Sequence, residues 1–146
     1  MQETPSVTMM LADSAQAVNG KLYILGGGWS IAGPGPVTFS IVVKIQVPWE
    51  QANQKQQMLL RLEDGDGQVV EIGGKKMEFP GEFEVGRPSG VPIGIPIDLK
   101  PMVVNLHNAQ LEPGSRYVWR MLLNGESHPA WTLSFTTRRQ KSRATS

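Results

Sequence analysis

Cysteine is absent from this chain, which removes thiol nucleophiles, thiolate-bound zinc and disulfide staples together. A cysteine-free sequence suits a reducing compartment. Excess charge is lacking too: the formal net charge of +1 exerts no global pull toward nucleic acid or an anionic membrane. No apolar run approaches the roughly 20 residues of a membrane-spanning helix. Met1–Ser6 has neither the basic nor the apolar region of a secretion signal, and no Asn-x-Ser/Thr acceptor occurs. These absences lead us to expect a cytoplasmic location and no membrane partner. Helical periodicity is missing, and so is any internal repeat of about 20–50 residues.

What is present in quantity is turn chemistry. Sixteen glycines and eleven prolines are scattered through 146 residues, between short segments of alternating polarity. Such a chain is one domain's worth and can bury about two-thirds of its unfolded surface without a staple. Val37–Val47 alternates most cleanly, with Val37, Phe39, Ile41, Val43, Ile45 and Val47 on one face. Pro48 stops it, and Trp49–Gln54 reads as a helical turn or a loop. Val7–Ala12 is a strand broken at Asp13-Ser14. Lys21–Leu25 follows an Asn19-Gly20 turn, with Leu22 and Ile24 expected inward. Residues 26–36 read as a glycine-proline loop without regular structure.

Further on, Lys55–Glu63 places Met58, Leu60 and Leu62 inward and Arg61 outward. The tetrad Asp64-Gly65-Asp66-Gly67 turns it toward Gln68–Ile72. Met77–Val85 carries Pro80-Gly81, a pair suited to an edge. Residues 86–96 form an extended loop. Ile97–Leu106 reads as one strand disturbed at Pro101, with Leu99, Val104 and Leu106 inward.

The last pair of strands is the organising unit. Tyr117, Trp119, Met121 and Leu123 share one face, and after Asn124-Gly125 the return strand places Trp131, Leu133 and Phe135 together. The connection is expected to run on through Glu126–Pro129. Ahead of it, Leu111-Glu-Pro-Gly-Ser-Arg-Tyr117 resembles the tyrosine corner of immunoglobulin-like and fibronectin-type folds, in which the hydroxyl bonds back to upstream backbone. The expected fold is all-β, a single antiparallel β-sandwich with an immunoglobulin-like Greek key and about eight or nine strands. Residues 1–6 would be a flexible terminus, 7–137 the domain, and 138–146 a flexible tail carrying four positive charges.

Motifs with chemistry do not survive their context. Gly28-Trp29-Ser30-Ile31-Ala32 approaches a nucleophile elbow, but Gly33-Pro34-Gly35-Pro36 forbids the helix that must follow. The same glycines match no phosphate loop. Asp64-Gly65-Asp66 resembles the start of a calcium loop, yet Gln68 and Val69 stand where a third oxygen ligand and a glycine belong. His107 and His128 lack a ligand partner at short spacing. Glu82 and Glu84 read as a solvated strand face. Neither a metal nor a cofactor is expected. Trp29 and Trp49 fall outside the core alternation; each either plugs an end of the domain or supplies a binding surface.

The run Leu11-Ala-Asp-Ser-Ala-Gln-Ala-Val-Asn-Gly-Lys-Leu-Tyr-Ile-Leu-Gly-Gly-Gly-Trp29, together with the closing strand pair, resembles a family of small uncharacterised bacterial proteins. That resemblance spans roughly residues 7–137. It implies one β-sandwich domain of unknown function and carries over no catalytic residue.

The leading expectation is a non-enzymatic binding or structural module for protein–protein contact or assembly. Its surface would use loops 26–36 and 86–96, with Trp29, Ser30, Trp49 and Arg87 as candidate binding residues. Its partner would be another protein or a second copy, with weak polyanion contact through the basic tail. A small-ligand or glycan module is the alternative. A hydrolase using Ser30 and a histidine is the third reading.

Overall fold

Alternating apolar residues need a second layer to cover them, and that requirement accounts for the architecture. A computed structural model describes residues 4–140. Strands run over Ser6–Val18 (β1), Lys21–Gly27 (β2), Ile31–Ala32 (β3), Val37–Val47 (β4), Gln56–Asp64 (β5), Glu71–Ile72 (β6), Lys75–Lys76 (β7), Glu78–Phe83 (β8), Ile97–Asp98 (β9), Met102–Ala109 (β10), Arg116–Leu123 (β11) and Glu126–Thr137 (β12). Eight of these exceed two residues, and Trp49–Gln51 forms the one 3-10 turn of the described residues. The chain is all-β.

One sheet has the order β10-β4-β1-β2 with β9 beside the end of β4; the other runs β3-β12-β11-β5-β8; β6 and β7 form a small separate ribbon. Every pairing is antiparallel except β3 with β12, which is parallel. The two large sheets share one core. Phe39 of β4 meets Trp119 of β11 edge-on at 6.4 Å and Phe135 of β12 at 5.9 Å. Phe39, Ile41, Val43, Ile45 and Val47 are all sealed from solvent, as the period-two pattern requires. Tyr117, Trp119, Met121 and Leu123 are buried opposite them. Burial of side chains of this size contributes about 1.5–3 kcal/mol each.

The tyrosine corner forms. The Tyr117 hydroxyl accepts the Glu112 backbone N–H at 2.8 Å, and its ring stacks on Phe135 at 5.4 Å. Thr137 closes the same corner, donating to the Glu112 carbonyl and accepting the Ser115 N–H.

Several expectations are corrected. Asp13-Ser14 does not break the first strand, because β1 runs on to Val18 and changes partner, from β4 up to Ala12 to β2 beyond it. Leu22 and Ile24 do not reach the core: Leu22 is half-buried and Ile24 is exposed. The connection after Asn124-Gly125 is a tight two-residue turn, since Leu123 pairs with Glu126; the irregularity falls instead where the register shifts between Leu122↔Ser127 and Arg120↔Thr132. Residues 26–36 are not all loop. Gly26 and Gly27 belong to β2, and Ile31–Ala32 pairs beside Thr136 and Thr137. Ile97–Leu106 is two strands, β9 and β10, with Leu99, Val104 and Leu106 only half-buried. The expected flexible segments at 1–3 and 141–146 lie outside the described residues. Their inner neighbours are engaged: Pro5 accepts the Trp131 indole N–H, and Arg138 bonds to Ala32 and Gly33 carbonyls.

Candidate functional site

Past Ala12, β1 loses β4 as a partner and keeps only β2, and of its residues 13–18 Ala15 alone stays buried. From there β1 and β2 form a two-stranded ribbon closed by Asn19-Gly20, both with positive φ (51° and 74°). That is the backbone of a tight hairpin turn. Opposed residues share a face, so the register Ser14↔Leu25, Gln16↔Tyr23 and Val18↔Lys21 puts Leu25, Tyr23 and Val18 together. Leu25 is 71% exposed, Tyr23 58% and Val18 43%. Seven large apolar residues are exposed among the described residues, and five of them (Met10, Val18, Tyr23, Ile24 and Leu25) lie on β1 and β2. The other two are Ile31 and Ile93.

At the base of the ribbon Gly26 has φ +63°, and the Asp13 carboxylate occupies the space a Cβ would need. Only glycine fits there. The Gly28 N–H then donates to the Leu11 carbonyl at 2.8 Å, and the chain tucks Trp29 into the core. Its ring is edge-on to Phe39 at 5.7 Å and to Phe135 at 6.3 Å, and its indole N–H is buried without an acceptor. Ser30 is exposed, and its carbonyl accepts the Thr136 N–H.

The four residues singled out by sequence are not brought together. Trp29 and Ser30 lie at the Phe39 end of β4. Trp49 follows Val47 at the other end, about 26 Å away along eight strand residues. Arg87 does join Trp49. Its guanidinium stands 4.6 Å above the ring and donates to the Trp49 carbonyl at 3.0 and 3.3 Å. Both tryptophans pack half-buried against the core, so neither ring stands free as a stacking platform. Tyr23 is the one aromatic residue classed as exposed among the described residues.

Neither histidine ring bonds to the Ser30 hydroxyl. His107 Nδ1 lies 3.5 Å from Thr38 Oγ1, and His128 Nδ1 accepts the Ala130 N–H while its ring leans on Trp131. One Asp64 carboxylate oxygen is engaged in the turn, accepting the N–H groups of Asp66 and Gln68 at 2.9 and 3.0 Å. Among the described residues no group of three histidine or acidic side chains could hold a metal ion, and no helix is long and apolar enough to cross a membrane.

Two further features escaped the sequence reading. Glu63 is buried between two guanidiniums, with Arg61 on one oxygen and Arg120 Nε at 3.0 and 3.1 Å. Strand alternation placed Arg61 outward correctly, but the partner of that charge is a matter of strand order. The second is an open groove of about 600 Å³ at the Trp49 end, lined by Gln54, Gln56, Asn124 and Trp131 among others. Gln56 is buried and accepts from Asn124 at 3.4 Å. Nothing in the sequence links residues so far apart.

A family model described as a family of unknown function (DUF6941) matches residues 7–136. No curated protein and no solved structure matches the chain.

Proposed function

The chain belongs to the DUF6941 family of unknown function, and from that premise we propose a non-enzymatic module that mediates protein–protein contact or assembly in the cytoplasm. The observation that carries this reading is the apolar ribbon of β1 and β2. Exposed Tyr23, Leu25 and Val18 add nothing to the core, and contiguous exposed apolar surface marks an interaction site. The fold reading that accompanies it is an immunoglobulin-like sandwich. Its support is the grouping of β1, β4 and β10 in one sheet, of β8, β5, β11 and β12 in the other, and the Tyr117 corner. Loop 86–96 with Ile93, and the Trp49–Arg87 pair, would be secondary surfaces. Polyanion contact through the tail rests on Arg139, Lys141 and Arg143, since Arg138 already bonds to Gly33.

A photo-crosslinking amino acid placed at position 23, compared with one at position 66 in the Asp66 turn, tests the proposal in cells. Discrete polypeptide adducts from position 23 alone are expected. No adduct, or the same smear from both positions, would refute it. A small-ligand or glycan reading has one observation in its favour, the amide-lined groove beside Trp131. A carbohydrate array without a hit would dispose of it.

A further inference from the structure

An exposed strand edge is a row of unpaired N–H and C=O groups, and proteins normally guard it with proline, charge, bulges or brevity. Four edges bound the two large sheets here. At one, β8 carries Pro80 in its middle and Glu78 and Glu82 on either side. At another, β10 follows Lys100-Pro101, bears Asn105 and His107, and shifts register between Leu106 and Ala109. The third, β3, is two residues long and ends at Gly33-Pro34. The fourth, β2, has neither proline nor brevity to guard it, and its one irregularity is the left-handed Gly26 at its far end. Lys21-Leu-Tyr-Ile-Leu-Gly-Gly27 contains no proline and a single charge at its start, and its register on β1 is unshifted.

We propose that the β2 edge pairs with the β2 edge of a second copy of this chain, antiparallel and centred on Ile24, joining two sheets into one. The inference rests on the protein-contact reading above and names its partner. Self-complementarity carries it. Alternate strand residues direct both backbone groups to the same side, so a two-fold pairing must set residues of like parity opposite each other. The register centred on Ile24 pairs Tyr23–Leu25, the exposed apolar part of β2 ahead of the left-handed Gly26. It sets Tyr23 against Leu25 of the other copy, twice. The only charge, Lys21, stands outside the paired residues at each end. Apolar faces apolar, and no like charges meet. The same operation on β8 sets Glu78 against Glu82 and puts Pro80, which has no N–H, in the ladder.

The absence of native cysteine makes the register directly testable. In the pairing proposed, the two copies of residue 24 lie opposite each other with Cα atoms about 4.5–5.5 Å apart, within disulfide reach. Ile24→Cys in the full chain is expected to oxidise to a species of twice the 16.0 kDa chain mass, whereas Asp66→Cys is not. Equal dimer from both would show random collision and overturn the register.

The second measurement is sedimentation of the cysteine-free chain from micromolar to submillimolar concentration. Wild type is expected to approach the dimer mass. A chain with Tyr23→Lys and Leu25→Lys, and another with Tyr23→Glu and Leu25→Glu, are each expected to stay monomeric, because like charges then face each other. Mixed in equal parts they are expected to associate. Monomeric wild type at every concentration, or a dimer untouched by both variants, refutes the proposal. If wild type is monomeric while the position-23 crosslinker still captures a different polypeptide, self-pairing fails and the protein-contact reading stands. If neither occurs, both fall.

Discussion

Tyr117→Phe is the most discriminating single change to the corner that joins β11 to its lead-in. The ring is buried and stacked on Phe135, so phenylalanine keeps the packing and deletes one oxygen. That oxygen accepts the Glu112 N–H at 2.8 Å. Glu112 is exposed, so water can reach the released N–H and the cost is that of a lost hydrogen bond, about 1 kcal/mol. For a domain of this size the melting temperature should fall by about 3–5 °C. Burial pushes the Tyr117 hydroxyl above its ordinary 10.0; the nearby Glu112 and Asp64 charges act the same way, while the Glu112 N–H pulls it back. The folded state therefore favours the neutral phenol. Its contribution is complete below the ordinary value and is lost as the pH rises through that value toward the raised one, because the unfolded chain ionises first. The slope can reach about 1.4 kcal/mol per pH unit. The phenylalanine variant has no such slope. Urea melts of both proteins from neutral to strongly alkaline pH should show a gap that is constant at first and then closes. The other tyrosine, Tyr23, is exposed and common to both, and cancels. A gap that persists unchanged into the alkaline range, or no gap at neutral pH, would refute the reasoning.

Glu63→Ala leaves Arg61 and Arg120, which are directly paired across β5 and β11, without their shared acceptor. Removing one partner of a buried pair costs about 3–5 kcal/mol, and guanidiniums 29% and 30% exposed put this case at the low end. A shift in urea midpoint equivalent to less than about 1 kcal/mol would show the triad to be incidental. Trp29→Ala should cost about 3 kcal/mol by leaving a void against Phe39 and Phe135. Trp29→Phe should cost far less, because the indole N–H it removes has no acceptor; equal losses would contradict the plug reading. Gly26→Ala forces a Cβ into a left-handed residue beside Asp13. It should cost about 1–2 kcal/mol and speed amide exchange in β1 and β2 ahead of β4, a difference that hydrogen-exchange mass spectrometry reads directly.

How much of this was legible depended on whether a core lay beneath a given strand. Val37–Val47 and the pair 116–137 could be read because polar residues alternate with large apolar ones, and only a two-layer arrangement satisfies that pattern. The Tyr117 corner could be read from its local spacing. The β1–β2 ribbon misled for the same reason. Alternation says which residues share a face, so Leu22 and Ile24 looked inward, but it does not say whether anything covers that face. Asp13-Ser14 looked like a break because polar residues interrupt core strands; here they fall where β1 exchanges β4 for β2 as its partner, and the strand continues. In β12 the turn was read as too long, because the register shift sits at His128–Trp131, where Pro129 has no N–H to give the ladder. That Trp29 and Trp49 lie at opposite ends of β4 was not legible, because local pattern does not give the path of the chain between them.

The ribbon also separates two kinds of selection acting on apolar residues. Phe39 and Trp119 are fully enclosed, so their size is dictated by packing, and changing them alters stability. Tyr23 and Leu25 are mostly exposed on a strand pair that parts from β4 at Ala12, so packing within one chain does not require them to be apolar. Polar residues there would leave the core untouched, as the acidic residues of β8 do at another edge. Covering such side chains is worth about 1.5–3 kcal/mol each, and that gain is available only from outside the chain. Substitutions at 23 and 25 should therefore change association at constant melting temperature, and those at 39 and 119 should change melting with association following only through loss of fold. Sites without shared partners add independently, so a double variant across the two sets should show the sum of both effects. Strong coupling between them would mean that the ribbon is part of the folding unit after all, and the case for a surface kept apolar for a partner would lapse.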